Sequence, residues 1–199
     1  MPLLPLEPYL FPSDLFATSA NGPDGAQPWW VLHSRPRTEK AMARQFLARG
    51  LTFFLPLYQR QWRSKGRMQS SYLPLFPGYI FLRGDDEARV AALTTNLIAN
   101  VLAVKDQASL TADLARVHHL MESGSALTPE AQLAPGARVE IIAGPLAGLE
   151  GKVLHRGKKM HFFIEVHLLQ QGVSVEIESW MFQPVQGRRA EKPVGAGHA

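Results

Sequence analysis

Seven histidines and no cysteine limit what chemistry these side chains could do. Without thiols there is no cysteine nucleophile, no disulfide, and no thiolate site for zinc or iron–sulfur clusters. His118 and His119 sit in a segment that reads as helix, where adjacent side chains diverge by about 100°, a poor chelating geometry. His161 and His167 share strand parity but would lie about 20 Å apart along it. His33 and Ser34 fall on opposite faces of a strand and so cannot form a nucleophile–base pair. No Gly-x-Ser-x-Gly elbow occurs. Gly151-Lys152 closes a glycine-bearing loop that superficially suggests phosphate binding. That motif needs glycine at 146 and a hydroxyl side chain at 153, and Leu146 and Val153 stand there. Catalysis, metals and cofactors are not expected. The chain reads as a binding protein.

Charge gives the first positive indication. Between Arg35 and Arg67 nine basic residues face only Glu39, a local +8 in a chain of net +4. Arg35, Arg37 and Lys40 begin this lobe. Arg63, Lys65 and Arg67 end it beside Trp62. Such a basic lobe on an otherwise acidic molecule favours a polyanion, through phosphate contacts that need no base reading.

The elements that must position these residues follow from the pattern. Trp29–Ser34 is aromatic and β-prone. Thr38 can start a helix over 39–49, with Met42, Phe46 and Leu47 as its stripe and Gly50 as its stop. Two strands, broken at Pro56, flank a hairpin tip at Ser64–Arg67. A second helix begins at Asp85 or Asp86, lined by Val90, Leu93 and Leu97. A strand follows within 97–105, then a third helix over about 111–122. From 136 onward the alternation is that of strands only, as at Phe162, Ile164 and Val166. The reading is an α+β fold, with an antiparallel sheet and flanking helices over 29–124 and a small β-barrel over 136–186. Residues 1–28 hold six prolines and no Lys or Arg and read as a flexible arm. Residues 125–135 read as a linker and 187–199 as a flexible tail. With 199 residues, 46% of them apolar, the chain can bury a core. No apolar run reaches the roughly 18 residues of a membrane helix, and no secretion signal is recognisable, so a cytoplasmic monomer is expected.

Two segments carry a more specific signal. The first is LPLFPGYIFL (73–82), preceded about 40 residues earlier by WWVLHSRPRTEK (29–40). The second is GARVEIIAGPLAGLEGKVL (136–154). In Phe76-Pro77-Gly78-Tyr79 the proline fixes one dihedral and the glycine permits an unusual one, so the strand can kink at its start. Tyr79 and Phe81 then share a face, and with Trp30 and Phe76 they could form an aromatic patch suited to a helical partner. Spacing alone favours ordinary core. Together, in order and spacing, the two segments resemble the NusG family of transcription elongation factors, with its N-terminal domain followed by a KOW domain of SH3-like barrel form.

The resemblance implies that Trp30, Phe76, Pro77, Tyr79 and Phe81 bind the clamp helices of the RNA polymerase β′ subunit. It implies that Arg35, Arg37, Lys40, Arg63, Lys65, Arg67, Thr95 and Asn96 lie near upstream or non-template DNA. It places a site for a further factor, a ribosomal protein or Rho, at Gly144, Pro145, Gly148, Leu168 and Leu169 of the KOW domain. Leu169 stands where the housekeeping factor carries a phenylalanine, and the start at Trp29-Trp30 looks more like specialised paralogues. The strand-rich 161–177 segment argues for a resting barrel rather than a helical hairpin. Two alternatives remain at this stage: a housekeeping factor supporting Rho-dependent termination, or a KOW-type RNA-binding, ribosome-associated protein.

Overall fold

A computed structural model describes residues 7–17, 27–132 and 136–185. The chain forms β1 (Leu10–Phe11), β2 (Trp29–Ser34), α1 (Glu39–Ala48) and β3 (Thr52–Phe54). The hairpin strands β4 (Leu57–Ser64) and β5 (Arg67–Pro74) follow, then β6 (Tyr79–Arg83), α2 (Asp86–Leu93), β7 (Ile98–Leu102) and α3 (Gln107–Glu122). The last strands are β8 (Leu127–Glu130), β9 (Ala137–Ile141), β10 (Glu150–Arg156), β11 (Lys159–Val166), β12 (Gln171–Ile177) and β13 (Phe182–Pro184). No helix among the described residues is long and apolar enough to cross a membrane.

The N-terminal strands make an antiparallel sheet in the order β1-β3-β6-β2-β7. Pleating sends alternate residues to opposite faces. Leu32, Phe53, Ile80 and Leu82 pack under Met42, Ala43 and Phe46 of α1 and Ala92 of α2. Trp29, Val31, Phe54 and Phe81 form the other face, in one cluster with Leu110, Leu114, Val117 and Leu120 of α3. The stripes expected on the first two helices are narrower than the sequence suggested. Leu47, Val90 and Leu93 are exposed, because only one side of each helix meets the sheet.

Caps set the helix boundaries. The Asp85 side chain accepts from the Ala88 amide, and the Asp106 side chain from the Ser109 amide. The second cap starts α3 at Gln107, one turn earlier than its apolar spacing indicates.

The C-terminal strands form a six-stranded antiparallel sheet, β13-β9-β10-β11-β12-β8. Its interior is built from Val139, Ile141, Phe162, Ile164, Val173 and Val175. Residues 161–177 are strand apart from a short 3₁₀ turn at His167–Leu169.

Two segments, read as a flexible arm and as a linker, contain ordered strands. Residues 7–17 are docked: Leu10 and Phe11 pair with Phe54 and Phe53, and Leu15 is buried. Proline density forbids helix, but an edge strand needs only a few amides, and the apolar side chains supply the rest. Residues 1–6 and 18–26 of that arm lie outside the described residues, as does the tail from 187. Within 125–135, Leu127–Glu130 is strand β8 on the edge of β12. Glu130 anchors it through a two-pronged ion pair with Arg156 at 2.8 and 2.9 Å and a bond from the Ser174 hydroxyl. Burial pushes the Glu130 carboxyl up, but the bonds from Arg156 and Ser174 outweigh it and hold it below its ordinary range.

Candidate functional site

The turn at Phe76–Tyr79 is fixed from three sides. The Tyr79 amide donates to the Phe76 carbonyl at 3.0 Å, and the Ser34 amide to the Gly78 carbonyl at 2.7 Å. The Gly78 amide donates to the Glu39 carboxylate at 2.8 Å. Gly78 has φ +87°, and a Cβ there would come within 3.2 Å of His33 Nε2. Glu39, the sole acid of the basic stretch, is thus buried in the first turn of α1 and holds this turn. Nothing in its sequence context signals that role, because the contact spans 39 residues.

The five residues expected on an aromatic face separate into three groups. Phe76 and Phe81 are together, edge to face at 6.1 Å between ring centres, but both are buried. Tyr79 is half-buried against His33 at 5.1 Å, and Pro77 is exposed. Trp30 lies on the opposite face of the sheet, paired with Leu82 and packed with the α1–α2 layer. Its indole donates to the Gly84 carbonyl at 2.9 Å and lies under the Arg89 guanidinium at 5.1 Å. The aromatic neighbour of Phe54 and Phe81 in that cluster is instead Trp29. Strand parity could have found it, since Trp29 and Val31 alternate with Trp30.

The basic lobe forms two surfaces. At one, the Arg35 amide donates to the Leu97 carbonyl at 2.8 Å, which places the exposed Arg35 and Arg37 beside the turn carrying Asn96. Lys40 is half-buried at the start of α1. Thr95 is buried at 7% exposure, and its hydroxyl accepts from the Leu97 amide at 3.3 Å. It shapes the turn rather than facing outward, because the turn folds its side chain back. The other surface is the β4–β5 hairpin, a separate two-stranded ribbon. Lys65 and Gly66 both have positive φ, 47° and 76°, as a two-residue reverse turn requires. The tip presents Arg63, Lys65 and Arg67 to solvent with Trp62 and Met68.

In the C-terminal unit, Gly144 and Gly148 take positive φ in the loop between β9 and β10. Pro145 follows and touches α3: its carbonyl is 3.1 Å from His119 Nε2. Leu168 is exposed, whereas Leu169 packs inward. The 3₁₀ turn that holds them is tied to α3 by the buried Asp113. That carboxylate accepts from the His167 amide at 3.0 Å, lies 3.2 Å from His167 Nδ1, and pairs with Arg116. Pro145 and the turn that carries Leu168 and Leu169 therefore lie against α3 in this structure.

The histidines serve these contacts. His118 stacks on Phe16 at 4.7 Å and lies 3.7 Å from Glu122. Burial lowers its pKa, Glu122 opposes that, and His119 adds to the lowering.

Comparison with known proteins defines the class. Residues 27–124 match the family model described as "Transcription termination factor nusG". Over these residues the chain belongs to the NusG family of transcription factors. Among solved structures it resembles one described as "Domain interaction in Thermotoga maritima NusG", at 15% identity and a TM-score of 0.47, over 80% of this chain and 98% of that one. It also resembles "Crystal Structure of MjSpt4:Spt5 complex conformation B", at 15% identity and a TM-score of 0.26, over 81% of this chain and 99% of that one. No curated protein matches the chain.

Proposed function

We propose that this protein is a transcription elongation and antitermination factor that docks on the clamp helices of the RNA polymerase β′ subunit. The observation that carries the reading is the NusG-family match over residues 27–124. Within that segment the docking end of the sheet is the Phe76–Tyr79 turn. Pro77 and Tyr79 supply accessible surface there, while Phe76 and Phe81 support them from beneath. A factor that binds the closed clamp better than the open one disfavours opening and so suppresses pausing.

The Arg35–Arg37 corner with Asn96, and the hairpin tip at Arg63, Lys65 and Arg67, lie along upstream or non-template DNA in this reading. Their exposure and charge suit phosphate contacts without base reading. The C-terminal sheet acts as an SH3-like KOW barrel. It recruits a further factor, such as a ribosomal protein or Rho, through the Gly144–Gly148 loop and Leu168-Leu169. Pro145 and the turn that carries Leu168 and Leu169 lie against α3 at rest, so recruitment requires the barrel to leave α3. Once free, the tethered barrel holds its partner at high effective concentration near the transcript.

The test is binding of the full chain to core RNA polymerase, wild type beside Tyr79→Ala. Tyr79 is half-buried and can be truncated without opening the core, unlike Phe76. The reading expects at least a tenfold loss of affinity, about 1.4 kcal/mol, with the melting temperature little changed. Equal binding by both chains refutes it.

A further inference from the structure

The arm at residues 7–17 precedes the segment that matches the family, yet it reaches the middle of the aromatic face. Its backbone meets the sheet along one edge. Two residues pair with the edge strand β3, and the Leu55 amide donates to the Tyr9 carbonyl at 2.6 Å. The Glu7–Arg44 ion pair at 2.7 Å is solvent-exposed, and such pairs contribute little. Its side chains go deep. Leu15 is buried, and Phe16 sits against Phe54 at 4.9 Å, His118 at 4.7 Å and Trp29 at 6.1 Å. Phe54 in turn lies 6.4 Å from Phe81, which meets Phe76.

The hydrogen-bonded ladder of the rest of the sheet is complete without this occupant, although Tyr9 and Phe11 also pack on its α1 side. Strands β3, β6, β2 and β7 pair with one another without it, and α1 and α2 cover their other face. The Trp29 indole N–H, on a ring that lines the socket, is buried with no hydrogen-bond partner among the described residues. An edge that accepts an added strand, beside an aromatic socket, is the arrangement by which sheets take up extended peptides.

We propose that residues 9–16 are an exchangeable peptide bound in cis, filling a groove made by the edge of β3 and the socket of Trp29, Phe54 and His118. Through Phe54 the occupied groove adjoins Phe81 of the aromatic face. The arm is thus a strap on the docking end of the sheet. Its release adds the apolar groove beside Trp29 and Phe54 to the surface that Pro77 and Tyr79 offer a partner, while Phe76 and Phe81 stay in place beneath them. This consequence for docking rests on the polymerase reading given above; the groove does not.

The test uses the full chain carrying Leu15→Ser and Phe16→Ser, which removes both plugs and leaves the family-matched segment intact. A labelled synthetic peptide of residues 7–17 is titrated against this variant and against wild type. Core polymerase affinity is measured for both chains. The expected result is saturable capture of the peptide by the variant, and much weaker capture by wild type. Polymerase affinity of the variant should rise on the order of tenfold, as expected when a binding-competent state stops being a minor one. Amide exchange should quicken at Leu55 but not in β2 or β6. Failure of the variant to capture the peptide while β2 and β6 stay protected overturns the groove. Loss of protection throughout the sheet overturns it too, because the arm is then part of the core. Capture with equal polymerase affinity in both chains overturns the strap. Capture with no polymerase binding by either chain supports the groove and overturns the polymerase reading instead.

Discussion

Replacing Asp113 by alanine should free the C-terminal sheet from α3 without unfolding either part. The carboxylate is buried at 1% exposure and faces the 3₁₀ turn after β11. Three groups meet it: the His167 amide at 3.0 Å, the His167 ring at 3.2 Å, and Arg116 from its own helix. Arg116 belongs to α3 and does not hold the barrel. The His167 ring is 56% exposed, so its share is largely screened. The backbone bond to a buried charge remains, and such bonds contribute about 1.5–3 kcal/mol. The docked population should fall by the corresponding factor, roughly 10–150-fold. Asp113→Asn keeps the shape and one acceptor and should lose about half as much free energy. Amide exchange reads this directly. His167, Leu169 and the outer face of α3 should exchange faster, while Phe162–Ile164 and β2 stay protected. Uniform loss of protection across the barrel would refute the reasoning, because Asp113 would then support the barrel fold itself.

Further outcomes follow from the same contacts. Phe76→Ala empties a buried ring site and should cost about 3–5 kcal/mol of stability, seen as a lower denaturant midpoint with an unchanged slope. Gly78→Ala forces a side chain onto a φ of +87° and against His33; it should cost about 1–3 kcal/mol and weaken polymerase binding along with Tyr79→Ala. His118 is held neutral by burial, so its folded pKa lies below the ordinary 6.5. The unfolded chain then binds the extra proton first, and stability should fall as pH drops below about 6.5; His118→Phe should flatten that slope in melts between pH 5 and 7. Glu130 shows the opposite case of a depressed carboxylate. Its contribution is present at neutral pH and lost on acidification through the carboxylate range, and Glu130→Gln should remove that acid sensitivity.

Much of this architecture was legible because local signals agreed with it. Proline and glycine marked the Phe76–Tyr79 turn, Asp85 marked a helix start, and alternation through 161–177 marked strands. The hairpin tip at Lys65-Gly66 was visible as a polar glycine break. What escaped depends on contacts distant in sequence. Proline density in the arm suppresses local structure, but it does not reveal that Leu15 finds a socket formed by α3 and the sheet. Trp29 and Trp30 are chemically alike, and only the register against Phe81 and Leu82 decides which one faces the aromatic cluster. Glu39 looked like a stray acid in a basic stretch until its contact with the Gly78 amide, 39 residues away, gave it a role. Thr95 is a polar residue in a turn, where a hydroxyl can accept from the backbone two residues on instead of facing outward, as it does from the Leu97 amide.

The most direct test of the central claim is a photocrosslink from position 79. A benzoylphenylalanine replacing Tyr79 in the full chain, bound to core RNA polymerase and irradiated, should give one dominant adduct within the clamp helices of β′. An adduct confined to another subunit, or to nucleic acid alone, would contradict docking through the Phe76–Tyr79 turn.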